Sequence, residues 1–246
     1  MENKILNWKV GEKSEKDFIR KKTFVGVLPP KVWLNSAAHL DQLDLGSCTA
    51  NAASVAVQIV LLKEKSTIFS LSRLLLYYET RKIEGTIKED AGAFIANVFR
   101  AIKKSGICPE FLWDYSNPTK RFAKKPPKKA YDIAKFHREI QYERVMQTLD
   151  ELKATVAEGY PIIFGFLVYQ NFMTDEVANT GIMPPPQGKT LGGHAVCIVG
   201  YDDEKQCFRV QNSWGSHWGK QGDFYMPYDF ALSANCDDFF SIKFIK

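Results

Sequence analysis

The sequence predicts an α+β protein, with helices gathered in the first half of the chain and strands in the second. Two observations carry this expectation. Apolar residues recur at helical spacing between Thr49 and Lys104, whereas from Pro161 onward they fall in short β-rich runs. The chain is 246 residues long, 45% hydrophobic and 13% aromatic, which is enough to bury the core of one large domain or two modest ones.

Each element has its own reason. Thr49 to Glu64 reads as a long buried helix, because Ala52, Val55, Ala56, Ile59, Val60 and Leu62 give it a broad apolar face. Ser72 to Lys82 reads as a second helix. Gly92 to Lys104 reads as a third, with Phe94, Ile95, Val98, Phe99 and Ile102 inward and Gly106 closing it. Between Asn117 and Ala130, the cations Lys120, Arg121, Lys124, Lys125, Lys128 and Lys129 are interrupted by Pro118, Pro126 and Pro127. That composition predicts a loop or linker crossing the surface between domains, with recognition of an acidic partner as the alternative. Asp150 to Glu158 is a short helix ending at Gly159. Strands follow at Pro161 to Tyr169, Ala195 to Tyr201, Phe208 to Gln211, Gly222 to Tyr225 and Phe239 to Phe244.

Three segments carry chemistry. Cys48 opens its part of the small-residue run Leu45-Gly46-Ser47-Cys48-Thr49-Ala50-Asn51-Ala52-Ala53, a tight turn leading into a helix. A sulfur there sits at the positive end of the helix dipole, which favours thiolate over thiol. Gly193-His194-Ala195-Val196 puts a histidine at the head of an apolar run, where a rigid strand can hold an imidazole against that sulfur. Gln211-Asn212-Ser213-Trp214-Gly215 supplies an amide, Asn212, to orient the ring, and Trp214 to keep water off the contact. Taken alone, Cys48 would read as a packed core thiol. His39, His137 and His217 lack any such context and read as surface or loop residues. H-E-x-x-H, G-x-S-x-G and Walker A patterns are absent from the sequence.

These motifs resemble the papain-like cysteine proteases. The match is closer to the bacterial and viral type, with Gly-Ser-Cys-Thr-Ala-Asn-Ala, than to the lysosomal type with Gly-Ser-Cys-Trp. Gln42 lies six residues before Cys48, where that family places its oxyanion-hole glutamine, and Gln42, Cys48, His194 and Asn212 match in order and spacing. The resemblance covers roughly residues 28 to 246, from Leu28-Pro29-Pro30 to the closing signature Asn212-Ser-Trp-Gly-Ser-His-Trp-Gly-Lys-Gln-Gly222. It implies a two-lobed papain-like fold, with a helical left lobe mainly at 40–116, a β-barrel-like right lobe mainly at 130–246, and the site in the cleft. It also implies Gly92, Ala93, Gly193, Trp214 and Trp218 as substrate-binding residues. Trp218 lines the leaving-group side and Gly92 meets the substrate backbone, although Ala91 departs from the family's glycine. Leu45 stands where secreted and lysosomal members have a disulfide-forming cysteine. That bridge is therefore expected to be missing, and Cys108, Cys197, Cys207 and Cys236 read as free buried thiols.

The implied activity is peptide hydrolysis, as endopeptidase or exopeptidase, without cofactor or metal. Two alternatives use the same residues: a thiol acyltransferase or deamidase, and a proteolytically silent binding module. Substrate choice is expected at an apolar pocket formed by Ala93, Phe94, Ala195 and the tail, with Asp237 and Asp238 reaching its floor to admit basic side chains. About 27 residues precede the apparent domain start, too few for a long helical propeptide. Residues 1–27 are then either neutral for activity or a short plug folded back across the cleft. The N-terminus lacks the apolar core of a signal peptide and no run is long enough to span a bilayer. The expected setting is the cytoplasm of a microbe or virus-infected cell, or export by a signal-independent route. A formal charge of +5 is too mild to imply a nucleic-acid partner.

Overall fold

The computed structural model describes residues 4–11, 18–20, 24, 26–35, 38–67 and 69–245. Its centre is α1 (Cys48–Lys63), in which every residue from Cys48 to Leu61 is buried. The alanines at 50, 52, 53 and 56 let this helix approach its neighbours closely on several sides, so a one-sided stripe is not needed. α2 (Arg73–Glu84) is capped by Ser72, whose Oγ accepts the Leu75 N–H, and ends at Gly85 in the left-handed region. α3 (Ile95–Ser105) starts later than its apolar pattern suggests, because Gly92 has φ +73° and Phe94 is extended. Gly106 closes it as expected, at φ +81° and with its N–H on Ile102 O.

The β-rich part is one antiparallel sheet built on β1 (Lys31–Trp33), β2 (Ile140–Arg144), β3 (Ile162–Tyr169), β4 (Thr190–Asp202), β5 (Cys207–Gln211), β6 (Asp223–Pro227) and β7 (Cys236–Ile245). The order is β2-β7-β3-β4-β5-β6, with β1 pairing off this path onto β4. Among the described residues no pairing joins β2 to β6, so the sheet is an open path rather than a closed barrel. Alternation along β3 and β4 divides the interior. Ile163, Ala195, Cys197 and Val199 face the cluster built on α1. Ile162, Phe164, Phe166, Val196 and Ile198 face a second, aromatic cluster. β4 thus carries both cores on its two faces, and His194 is its fifth residue, near the start of the buried run.

The segment from Asn117 to Ala130 corrects the loop expectation. It holds α4 (Pro118–Arg121) and the start of α5 (Lys128–Ala134). Pro118 opens α4 and Pro127 caps α5, positions at which a missing N–H costs nothing, so these prolines start helices rather than break them. α6 (Leu149–Ala157), α7 (Asp175–Thr180) and α8 (Tyr228–Ala231) complete the fold. All five cysteines are free and buried. No helix among the described residues is long and apolar enough to cross a membrane.

Candidate active site

Cys48 is the first residue of α1. The turn that delivers it is held from both sides. Asn51 Nδ2 donates to Ser47 O and Ser47 Oγ at 3.0 Å each, and Ser47 Oγ lies 2.5 Å from Tyr115 Oη. Tyr115 Oη donates in turn to Gln42 O at 3.0 Å, which ties the Cys48 turn to the Gln42 turn. Burial pushes the Cys48 thiol up to about 11, against the opposing pull of the backbone N–H groups of Ala195, Thr49 and Cys48 itself. The expectation of a thiolate is thereby corrected for this arrangement. The helix start is where the sequence put it, but complete removal from water outweighs it.

His194 stands in β4 beside Ala195, whose amide faces the sulfur. Its Nε2 lies 2.8 Å from Asn212 Oδ1, which also accepts the Ser213 N–H at 2.8 Å. That second bond fixes the amide oxygen toward the ring, so Nε2 carries the proton. Nδ1 is buried and has no hydrogen-bond partner, which leaves it as the basic nitrogen. Burial lowers His194 to about 4; the Asn212 contact opposes this and nearby Lys4 adds to it. Trp214 stacks on the imidazole with centroids 4.9 Å apart and planes 25° from parallel. Trp218 meets Trp214 edge-on at 4.9 Å and is itself buried.

Gln42 is locked by two contacts with Ser213: its N–H donates to Ser213 O at 2.8 Å and its Oε1 accepts the Ser213 hydroxyl at 2.7 Å. Its Nε2 donates to Leu45 O at 3.0 Å and to Ile5 O at 3.3 Å. The second acceptor belongs to a segment that also lies against Asp90, Gly92 and Gly193. Asn7 pairs with Gly193, the Trp8 N–H donates to Gly193 O at 2.9 Å, and Asn7 Nδ2 donates to Asp90 O at 2.8 Å. The contacts are close enough to require glycine. A Cβ on Gly92 would stand 2.1 Å from Asn7 O, one on Gly193 2.2 Å from Trp8 O, and one on Gly165 1.8 Å from Trp8 Cε2. Trp8 is buried in the α1 core cluster together with Ala93 and Ala195.

The structure brings Cys48, His194, Asn212, Gln42, Trp214, Gly92, Ala93 and Gly193 into one region, and residues 5–8 lie against Gln42, Gly92 and Gly193 there. Trp218 lies behind Trp214. Asp238 is not a free acid on a pocket floor: it is buried, faces Arg144 at 3.5 Å and accepts the Gly11 N–H at 2.7 Å. Sequence reasoning missed Tyr77, Asp90, Tyr115, Ser213 and Gly165. Only Gly165, an isolated glycine inside a strand run, carried a signal of close approach.

Residues 35–238 match the profile of papain family cysteine proteases. The chain belongs to the papain family. It is 41% identical over 218 residues to an uncharacterized peptidase C1-like protein of Acanthamoeba polyphaga mimivirus, covering 84% of this chain and 70% of that one. Cathepsin B-like CP3 of Giardia intestinalis is 27% identical over 194 residues, which span 75% of this papain-family chain and 62% of the relative. Among solved structures, xylellain, a cysteine protease from Xylella fastidiosa, superposes with a TM-score of 0.88 at 37% identity, covering 98% of this chain and 96% of that one. Digestive procathepsin L 3 of Tenebrio molitor shares the fold, with a TM-score of 0.72 at 18% identity over 96% of this chain and 75% of its own. The protein is thus a papain-like cysteine peptidase with an α+β fold.

Proposed function

We propose that this peptidase cleaves peptide bonds with Cys48 as nucleophile, His194 as proton carrier, Asn212 as the group that orients it and Gln42 as an oxyanion donor. The observation that carries the reading is the state of His194. Its Nε2 is anchored on Asn212 at 2.8 Å while Nδ1 is buried without a partner, beside the residue whose amide serves Cys48. In the reaction Nδ1 takes the proton of the Cys48 thiol, and the thiolate attacks the peptide carbonyl carbon. The carbonyl oxygen gains the negative charge and is met by Gln42 Nε2 and the Cys48 N–H; losing one such donor typically costs about 3 kcal/mol, on the order of a hundredfold in rate. Nδ1–H then protonates the leaving amine, and the same nitrogen activates water to release the acyl group. No observation favours acyl transfer to an amine, or a silent fold, over hydrolysis.

Residues 4–11 act in this reading as a cover on the cleft. Along the chain they pass from Gln42 at Ile5, to Gly92 at Asn7, to Gly165 at Trp8. Substrate bound with its acyl part on Gly92 and its leaving group toward Trp218 runs the opposite way. The cover therefore passes Gln42, Gly46 and Gly92 with its chain reversed relative to substrate, which accounts for a peptide that is held and not cut. The first test is labelling by an epoxysuccinyl peptide, read by intact mass. One adduct on the wild type, lost in Cys48→Ala and gained faster in Trp8→Ala, is expected. An adduct that persists in Cys48→Ala would remove the nucleophile assignment, and equal rates in Trp8→Ala would remove the cover.

A further inference from the structure

Two backbone stations must keep a fixed separation for the proposed chemistry: Gly46, which leads into Cys48, and Gly92, over which a peptide lies. A side-chain relay joins them. The Gly46 N–H donates to the Asp90 carboxylate, 2.9 Å from Oδ2 and 3.1 Å from Oδ1. Tyr77 Oη donates to Asp90 Oδ1 at 2.5 Å and accepts the Gly92 N–H at 3.1 Å. The Gly46 N–H and the Tyr77 hydroxyl both donate to the one carboxylate, and the Gly92 N–H is held on the Tyr77 oxygen. Tyr77 is fully buried in α2, and burial first, then the Asp90 charge, raises its phenol far above the usual range, so it remains a donor.

The same helix builds the shelf on which Asp90 stands. Arg81, one turn on from Tyr77, lies 4.0 Å over the Tyr77 ring and donates to Ile87 O at 2.7 Å and Glu89 O at 2.9 Å. Its other terminal nitrogen reaches Phe122 O at 2.6 Å. A buried cation thus gathers the loop that ends in Asp90, and its charge offsets that of the carboxylate.

We infer that Asp90 is a positioning residue, which through Tyr77 locks the backbone entering Cys48 to the backbone at Gly92. The inference rests on the proposed roles of Cys48 and Gly92. It also accounts for Leu45. The resemblance places a disulfide-forming cysteine there in secreted and lysosomal members; here the residue after Leu45, Gly46, has its N–H on a carboxylate instead. Such a brace is indifferent to the reducing conditions that a free catalytic thiol requires. It has an electrostatic consequence too, because the Asp90 charge opposes ionisation of Cys48.

Two thiol probes on the full chain separate positioning from access. Iodoacetamide reports the exposure and ionisation of Cys48; an epoxysuccinyl peptide must in addition lie along Gly92. The ratio of their second-order rate constants isolates alignment. Asp90→Ala is expected to lower that ratio about tenfold or more, and Asp90→Asn, which keeps an acceptor oxygen for the Gly46 N–H, to bring it back to within about threefold of wild type. In both variants the acid limb of the iodoacetamide rate moves to lower pH, because the charge is gone. Tyr77→Phe breaks only the Gly92 arm and covers the case in which Asp90→Ala does not fold; it is expected to lower the ratio without moving the limb. An unchanged ratio in Tyr77→Phe and Asp90→Ala, or an unmoved limb in Asp90→Asn, would overturn the inference. A wild type that reacts with iodoacetamide at Cys48 but never with the peptide would instead overturn the proposed cleft reading on which it stands.

Discussion

At the scale of single residues the decisive balance is between a helix start that favours an anion and burial that forbids one. With residues 5–8 in place burial wins at both partners: the thiol is pushed up to about 11 and the imidazole down to about 4. The pair then holds one proton, on sulfur, through the neutral range. In the proposed ion pair of the open cleft it also holds one proton, now on His194. Opening therefore moves a proton internally and binds none, so the ratio of Trp8→Ala to wild-type peptidase rates is expected to stay flat from pH 6 to pH 8. In Cys48→Ala the donor is gone and His194 alone titrates. Its closed-state value is depressed, so acid favours the open state; between pH 7 and pH 5 opening rises roughly twentyfold, taking about 6.5 for the open imidazole. Amide exchange at Trp8, whose N–H bonds Gly193, reads that opening directly. An opening constant in Cys48→Ala, taken as the exchange rate divided by the intrinsic amide rate at each pH, that stays flat from pH 7 to pH 5 would contradict the burial argument. Asn212→Ala tests the other nitrogen. It strands a buried Nε2–H worth about 1.5–3 kcal/mol, so kcat/KM is expected to fall on the order of tenfold to a hundredfold with KM little changed.

At the scale of elements, closure of α3 shows how one backbone position carries a segment. Gly106 has φ +81°, and a Cβ there would stand 1.8 Å from Ala134 O, a backbone atom at the end of α5. Gly106→Ala combines a disfavoured conformation with a clash that no rotamer relieves. A loss of about 2 kcal/mol or more is expected, a fall in Tm of about 5 °C or more at this chain length. A melting point within a degree of wild type would show that the α3–α5 junction adjusts. Gly106 was legible because a closing glycine follows an apolar helical pattern. So were α1, α2, α3, α6 and the cores of β3 to β7, where pattern and length agree. β1, with three residues, and α4, α7 and α8, with four to six, are too short to display a period, and the prolines around α4 and α5 read as breakers. The site divides in the same way. Cys48, His194, Asn212 and Gln42 sit in motifs with fixed local spacing. Asp90 and Tyr77 touch Gly46 and Gly92 only through the tertiary fold, and nothing in their neighbours in sequence announces it.

At the scale of the molecule, the segment on the cleft is one of two attachments made by the same stretch of chain. Residues 18–20 join the edge strand β2: the Arg20 N–H donates to Arg144 O and the Arg144 N–H to Phe18 O, both at 2.8 Å. The Arg20 guanidinium is withdrawn from solvent between Glu151, at 2.5 Å, and Glu158, both on or at the end of α6. Phe18 and Ile19 are exposed, so this anchor holds by its backbone pairing and one buried charge rather than by apolar area. Between the anchors the Gly11 N–H bonds Asp238, whose other partner, Arg144, also pairs with residues 18–20. Two tethered contacts raise each other's effective concentration, so weakening the distant one should loosen the near one without touching the cleft. Arg20→Ala removes two charge-assisted contacts of about 1.5–3 kcal/mol each, although Glu158 keeps Lys243 at 3.3 Å, and leaves the anchor with two backbone bonds of about 1 kcal/mol each. Arg20→Ala is therefore expected to raise the rate of Cys48 alkylation, although Arg20 makes no contact with Cys48, His194 or Trp8. The double variant with Trp8→Ala separates this from general loosening. If the two attachments act as one strap, the second substitution adds little once the first has released it, and the combined effect falls short of the product of the single effects. Multiplicative effects would mean two independent contacts, and release of the cleft would then be governed by residues 4–11 alone.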